Sequence, residues 1–512
     1  MKKSFTLNYI KMYITEGLSI LLGIISLFVV VPYISGNKEI YGVYSLCVST
    51  MVFLSYADLG FLGAAMKFAA EFFQVGDKKK EIEVLSFGGF ILFIIASTIS
   101  LGYLVLSFRP ELLINGILYS PYYYTSRYLF LIMALLSPFI GLQRLTQCIY
   151  CIRIENYIYQ SINIVGSILR IFSVFYFFTN GRYQIVEYFL FIQIVPILCS
   201  IVSMLIAKRK YDYNILKVVK SFRWNTECFQ ITKGLAMSSF YMTLSWILYY
   251  EIDQIIIAKV FGSMQVALYA IAFSLLNYIR MFLGGLFTPF TPRFAHFKAE
   301  GDMDGLRKFY ITTIHITFPI VAIPIIVSAL LSKQFIIAWS GPSYIEAMSL
   351  VILFIILNFM ASFNYVGSSI ITVFEKTNTL KTLAILLPII YWIGIAIMPH
   401  NWGIISFGLM KNLVFLIVIV TYTYGSIKIL NVNFRELVIN LIKYNTIPVI
   451  IVCFISIIIY QNIEITSKGF HSLVEICGII FSVCVVGYTI TFFINKEINN
   501  YVKHLMGKLI RK

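Results

Sequence analysis

The chain has 512 residues, of which 59% are hydrophobic and only 12% charged, and its mean hydropathy is +0.86. A soluble domain needs about 25% charged residues to cover its surface, so this composition excludes a purely water-soluble protein. The net charge of +17 raises nucleic acid as a partner, but in so apolar a chain basic residues mark the cytoplasmic face of a membrane protein, and no nucleic-acid partner is expected.

The start, Met1-Lys2-Lys3, has the basic character of a signal peptide, yet no small-residue cleavage site follows Val29-Val30-Val31-Pro32. Residues 12–34 therefore read as an uncleaved first span. A run of about 20 apolar residues crosses the hydrocarbon layer as a helix, because every backbone polar group must be paired internally there. On that basis the sequence predicts an all-α polytopic membrane protein with about fourteen transmembrane helices. They lie near 12–34, 41–66, 84–107, 127–151, 158–179, 185–207, 234–259, 264–291, 310–332, 345–374, 382–398, 404–425, 446–460 and 473–494. Assigning alternate connections to opposite sides puts most of the 40 Lys and Arg on one side. That side is cytoplasmic by the positive-inside rule, and both termini are on it.

The second span has an echo. At one constant offset Tyr44 matches Tyr269, Ser49 matches Ser274, Gly60 matches Gly285, Ala70 matches Ala295, Phe72 matches Phe297, and Gly76-Asp77 matches Gly301-Asp302. An even number of spans returns the chain to its starting side, so the two copies are parallel six-helix repeats related by an axis along the membrane normal. The expected organisation is an N-terminal lobe over 1–207, a basic interlobe linker over 208–233 and a C-terminal lobe over 234–425. An amphipathic linker over 426–444, two further spans over 445–494 and a basic cytoplasmic tail over 495–512 follow. In the linker, Phe434, Leu437, Val438, Leu441 and Ile442 share one helical face, and in the tail Ile498, Tyr501, Val502, Leu505 and Leu509 do the same. Both read as helices lying in the membrane surface, the tail as an anchor to anionic lipids.

Catalytic signatures are absent: the sequence has no P-loop, no Gly-x-Ser-x-Gly and no His-Glu-x-x-His. The five histidines are far apart, and no connection on the less basic side is long enough for a soluble domain. Of the eight cysteines only Cys148 and Cys151 form a Cys-x-x-Cys, without a second pair, and they read as packing residues one turn apart. The chain is expected not to be an enzyme and to hold no cofactor.

Ionisable groups inside spanning helices are expensive, at about 3 kcal/mol on insertion scales, and so are functional candidates. Arg170 lies near mid-depth in the fifth span, with Asn163 on a similar face. Arg280 lies in the eighth, with Asn277 one turn earlier. Asp58 is in the second span, Glu251 and Asp253 are toward the end of the seventh, and Lys411 is in the twelfth. Two readings stand. Either the acids neutralise the arginines as buried pairs between lobes, or Arg170, Arg280 and Asn277 face a water-filled cavity and bind an anion, for which planar guanidinium suits phosphate. Asp58 and Lys411 would then be cavity or gate charges, and Asp253 and Glu251 would couple a proton or sodium ion or pair the lobes. Arg144 and Lys67 lie close enough to the cytoplasm to snorkel.

Tyr41-Gly42-Val43-Tyr44, Asp58-Leu59-Gly60, and Asp253 with Ile256, Ile257 and then Ala267-Leu268-Tyr269 resemble the Wzx polysaccharide flippases. Those belong to the multidrug/oligosaccharidyl-lipid/polysaccharide exporter superfamily. The resemblance implies a V-shaped bundle of two lobes around a cationic cavity, working by alternating access; a monomer is expected. It implies transfer of an undecaprenyl-diphosphate-linked oligosaccharide, an O-antigen, capsule or exopolysaccharide unit, from the inner to the outer leaflet of a bacterial inner membrane. A glycan polymerase and a chain-length regulator would act beside it. Arg280 and Asp253 match the family's intramembrane Arg and Asp as residue types in corresponding helices. The first span carries only Glu16 and no arginine, which departs from the related lipid II flippases. The alternatives are a cation-coupled multidrug exporter of the same superfamily, which would prefer an acidic cavity, and a membrane glycan polymerase or ligase, which would need a long outer loop.

Overall fold

The computed structural model describes residues 2–495 and 499, with positions 57, 180 and 214 left out, so most of the tail reading over 495–512 lies outside the described residues. Every regular element described is a helix. The chain divides into two compact units, Met1–Ala267 and Leu268–Lys512.

The first unit contains α1 (Lys2–Ile34), α2 (Lys38–Ser55), α3 (Phe61–Gln74), α4 (Lys78–Phe108), α5 (Tyr123–Leu136), α6 (Pro138–Ile152), α7 (Asn156–Phe178), α8 (Ile185–Tyr211), α9 (Ile215–Lys220), α10 (Thr226–Trp246) and α11 (Asp253–Phe261). α12 (Ser263–Phe287) begins in the first unit and ends in the second. The second continues with α13 (Phe290–Glu300), α14 (Met303–Leu330), α15 (Ser332–Ser340), α16 (Met348–Val373), α17 (Thr377–Ile397), α18 (Pro399–Trp402), α19 (Ile405–Leu430), α20 (Phe434–Asn462) and α21 (Phe470–Ile494). Among the described residues, 11 helices are long and apolar enough to cross a membrane, or 12 if α5 and α6, bent by 45° at their junction, form one span. The chain is thus a multi-pass, all-helical membrane protein.

Two predicted spans, 41–66 and 234–259, are instead each built in pieces. The first stops at Ser55 and restarts at Phe61 after left-handed turns at Leu59 (φ 48°) and Gly60 (φ 81°). Asp58 Oδ2 caps the restart, accepting from the backbone N–H groups of Leu62 (3.2 Å) and Gly63 (3.4 Å). The second is interrupted by a π-helical turn, Ile247–Glu251, between α10 and α11. The reverse holds at 434–460, where the amphipathic stretch and the span after it form one unbroken helix, α20, running through Pro448.

The boundary between the two compact units falls within α12, and in the first unit α10 packs on α3. Phe61, Ala64, Ala65, Val84, Phe87, Cys228 and Ala236 form one buried cluster across α3, α4 and α10. A second cluster, which includes Leu62, Leu85, Leu92, Leu145, Tyr150 and Tyr213, joins α3, α4, α6 and the segment after α8. Cys148 is a buried member of it, and neither Cys148 nor Cys151 is in a disulfide.

The internal echo has a structural counterpart at three turns. Between α3 and α4, Gly76 is left-handed (φ 79°), Asp77 N donates to Phe72 O, and Asp77 Oδ1 accepts from Lys80 N. Between α13 and α14, Gly301 (φ 72°) and Asp302 repeat this with Phe297 O and Gly305 N. After α6 and α16 the left-handed residues are Ile154 (φ 56°) and Glu375 (φ 57°), each followed by an N–H that closes on a carbonyl five residues back. After α8 and α19 they are Asp212 and Asn431, both at φ 51°. In both units a cation near the start of the helix after the Gly-Asp turn reaches the last carbonyls of a later helix: Lys78 Nζ donates to Asp212 O (2.9 Å), and Arg307 Nε to Leu430 O (2.6 Å).

Candidate functional site

Arg170 and Arg280 are held by the same local device. Each guanidinium Nη2 donates to a polar side chain three residues earlier on its own helix: Arg170 to Ser167 Oγ and Arg280 to Asn277 Oδ1, both at 2.8 Å. A spacing of three puts both groups on one helical face. The tether is a neutral polar group in each case, so it aims the guanidinium by hydrogen bonding alone. Both arginines are half-buried. Asn163, expected on the face of Arg170, instead turns its amide back to the Tyr159 carbonyl at 2.9 Å. Tyr365 Oη donates to the Arg280 carbonyl (3.4 Å), tying α16 to α12 within the second unit.

The remaining sequence candidates have different surroundings. Asp58, besides capping α3, forms an ion pair with Arg144 at 2.9 Å, and Arg144 Nη1 also donates to the Ser55 carbonyl. Arg144, expected to reach toward the cytoplasm, has these fixed partners in the fold. It bridges the break in the second predicted span from α6, one carbonyl before the break and one carboxylate within it. Lys67, by contrast, makes an exposed pair with Glu71 one turn on. Glu251 ends the π turn and Asp253 opens α11; both are buried, Asp253 completely. The N-terminal position of Asp253 places its carboxylate at the positive end of the α11 dipole. Lys411 is fully buried on α19, with Nζ 4.5 Å from the centroid of the Tyr391 ring on α17, a cation–π contact inside the second unit. Among the described residues no group of three or more His, Cys, Asp or Glu is arranged to hold a metal ion.

One cluster escaped the sequence reading. Glu81 on α4 and Arg153 at the end of α6 pair at 2.7 Å with side chains 1% and 7% exposed. Arg153 lies among the rings of Phe73, Tyr211 and Tyr213, at 4.7, 5.0 and 5.2 Å from their centroids. Glu155 alongside accepts from Lys210 at 2.5 Å and from the Tyr211 hydroxyl. Burial pushes the Glu155 carboxyl up, but these two donors outweigh it and hold the group below the usual carboxylate range. Phe73, Glu81, Arg153, Glu155 and Tyr211 border a cavity of about 410 Å³ at the end of the unit where α3, α6 and α8 finish. The sequence did carry a signal: Glu81, Leu85, Gly88 and Leu92 form a buried stripe at helical spacing, with a carboxylate on an otherwise apolar face.

No protein-family profile matches the chain, and no curated protein does. Among solved structures, it is similar to the lipid II flippase MurJ in an inward closed conformation, with a TM-score of 0.66 and 14% identity over 95% of this chain and 99% of that one. It is also similar to an inward-facing multidrug resistance transporter of the MATE family in the MOP superfamily, with a TM-score of 0.61 and 12% identity over 80% of this chain and 95% of that one. A crystal structure of MATE in complex with MaD3S gives 0.51 and 14% over 83% and 96%. At these identities the likeness is one of fold. The class of protein so defined is a polytopic helical bundle with the architecture shared by MurJ and the MATE transporters.

Proposed function

We propose that this protein is a flippase that carries an undecaprenyl-diphosphate-linked oligosaccharide from the inner to the outer leaflet of a bacterial cytoplasmic membrane by alternating access. The observation that carries this reading is the reach of the fold likeness. The similarity to MurJ takes in 95% of this chain and 99% of that protein, whereas the MATE transporter leaves a fifth of this chain unmatched. Two arginines in spanning helices, each aimed by a neutral partner, supply the chemistry that a diphosphate calls for. The Wzx resemblance and the absence of arginine from the first span favour an oligosaccharide carrier over lipid II as cargo. In that span Glu16 accepts a hydrogen bond from Gln160 on α7. A sugar diphosphate cannot cross hydrocarbon unaided, because its hydroxyls and charges would lose their water. Under an inside-negative potential, outward movement of two negative charges is favoured by about 5 kcal/mol per 100 mV. Exchange for an inward H+ or Na+ through Asp253 or Glu251 would add to that. The protein would act as a monomer with both termini cytoplasmic, handing its product to a polymerase and chain-length regulator.

A second reading, a cation-coupled multidrug exporter, is favoured by the MATE likeness and by the burial of Asp253 and Glu251. Arg280→Ala separates the two. Expressed in a strain lacking the protein, it is expected to reduce surface glycan at least tenfold at unchanged protein level, since a charge-assisted hydrogen bond contributes about 1.5–3 kcal/mol. Normal surface glycan would remove Arg280 from the mechanism.

A further inference from the structure

The end of the first unit opposite the Glu81–Arg153 cluster holds a second cavity, of about 570 Å³. The separation follows from α8. Ile185 at its first residue lines this cavity, Tyr211 at its last lines the other, and 27 helical residues span about 40 Å. Three junctions of the chain meet here: the α1–α2 turn brings Asn37, the start of α5 brings Tyr122 and Thr125, and the α7–α8 connection with the first turn of α8 brings Tyr183 and Glu187.

Two of the tyrosines in the wall are fixed. Asn37 Nδ2 donates to Tyr122 Oη at 2.7 Å, while Asn37 Oδ1 caps α2 by accepting from Ile40 N at 3.0 Å. Tyr183 Oη donates to the Ile34 carbonyl, the last residue of α1. The Tyr183 hydroxyl is thus spent as a donor, the Tyr122 hydroxyl accepts and keeps its own proton to donate, and both rings are held as walls. Thr125, half-buried, and Glu187, exposed on the first turn of α8, border the cavity with no hydrogen-bond or ion-pair partner among the described residues, so both are open to a ligand. The opening is far larger than the roughly 30 Å³ a water occupies and lies in the range of small-molecule sites.

We infer that this cavity binds a neutral sugar ring, as a docking site for the glycan at the end of the protein where it emerges. A pyranose presents an apolar C–H face and a rim of hydroxyls. The fixed Tyr122 and Tyr183 rings meet the first, while Glu187 accepts from adjacent hydroxyls and Thr125 both donates and accepts. An interfacial aromatic belt accounts for exposed rings such as Tyr119 and Tyr124, 91% and 64% exposed on the same connection. It does not account for two half-buried rings tethered through Asn37 and Ile34 around one cavity. The inference rests on the flippase reading for the identity of the glycan and for which end faces out.

The test is saturation-transfer NMR on the full chain in lipid nanodiscs, with methyl glycosides of glucose, galactose, mannose and N-acetylglucosamine as probes. At least one glycoside is expected to bind the wild type. Glu187→Gln with Thr125→Val is expected to weaken that signal at least fivefold at unchanged elution and melting behaviour, and Tyr122→Phe, which frees the ring from Asn37, is expected to weaken it less. Absence of binding to folded wild type, equal binding to the double variant, or displacement by tetramethylammonium, which marks a cation site, would overturn the inference. The lipid analysis that tests transport is independent of these readouts. Transport without glycoside binding defeats only the sugar site, and glycoside binding without a transport defect defeats only the flippase reading.

Discussion

Glu81 and Arg153 have counterparts in the second unit, fixed by the recurrent turns. Glu81 N donates to Asp77 O as Leu306 N does to Asp302 O, and the residue before left-handed Ile154 corresponds to the residue before left-handed Glu375. The buried pair thus stands where the other unit has Leu306 and Phe374. Tyr211 and Tyr213 likewise stand where it has Leu430 and Val432, flanking Asp212 and Asn431. The same turn geometry is therefore compatible with an apolar filling, which agrees with the small net stability that buried ion pairs contribute. Glu81→Leu alone would strand the Arg153 guanidinium and is expected to cost about 3–5 kcal/mol in denaturant unfolding of the purified protein. Glu81→Leu with Arg153→Phe, which copies the other unit, is expected to recover most of that loss. If the double change is no better than the single one, the pair is integral to this unit's packing. Arg280 with Asn277 was legible because three residues on a helix put two side chains together. Arg153 was not, because its partner is 72 residues away and only the tertiary fold joins them. Asp58 was legible as a buried charge, but its pairing with Arg144, 86 residues on, was hidden for the same reason.

At the scale of elements, hydropathy located the long helices and blurred their interruptions. Residues 41–66 read as one span because the break at Asp58-Leu59-Gly60 is short and its neighbours are apolar. The cap-and-glycine signal within it marks a helix start as much as a buried charge. Gly60 is constrained twice. It is left-handed, and a Cβ there would lie 2.8 Å from the Ala236 carbonyl and 2.8 Å from Ser239 Cβ on α10. Gly76 is also left-handed but meets nothing within 4 Å. Gly76→Ala is therefore expected to cost only the conformational strain, about 1–2 kcal/mol. Gly60→Ala is expected to cost distinctly more, read as a larger fall in melting temperature in detergent. Equal effects would mean that α10 yields to the added methyl. The repeat diverges at this point: Gly285, the match of Gly60, lies inside the continuous helix α12. The seventh predicted span hid its π turn similarly, since five residues of altered winding leave the apolar pattern intact.

At the scale of the whole molecule, the echo between Gly76-Asp77 and Gly301-Asp302 was the sequence feature with the longest reach. It is carried by backbone-dictating residues, a left-handed glycine and a capping aspartate, whereas the other two recurrent turns use Ile154 against Glu375 and Asp212 against Asn431 and left no common sequence mark. Composition set the membrane class, and the architecture shared with MurJ and MATE narrows it to one fold, within which the flippase function is our proposal. That claim is tested most directly by removing the protein from its cell, extracting the polyprenyl lipids and measuring them by mass spectrometry. The account predicts that a completed diphosphate-linked oligosaccharide accumulates, that the intact chain clears it, and that Arg280→Ala does not. An unchanged lipid profile, with sensitivity to cationic drugs raised instead, would contradict the flippase and leave the exporter.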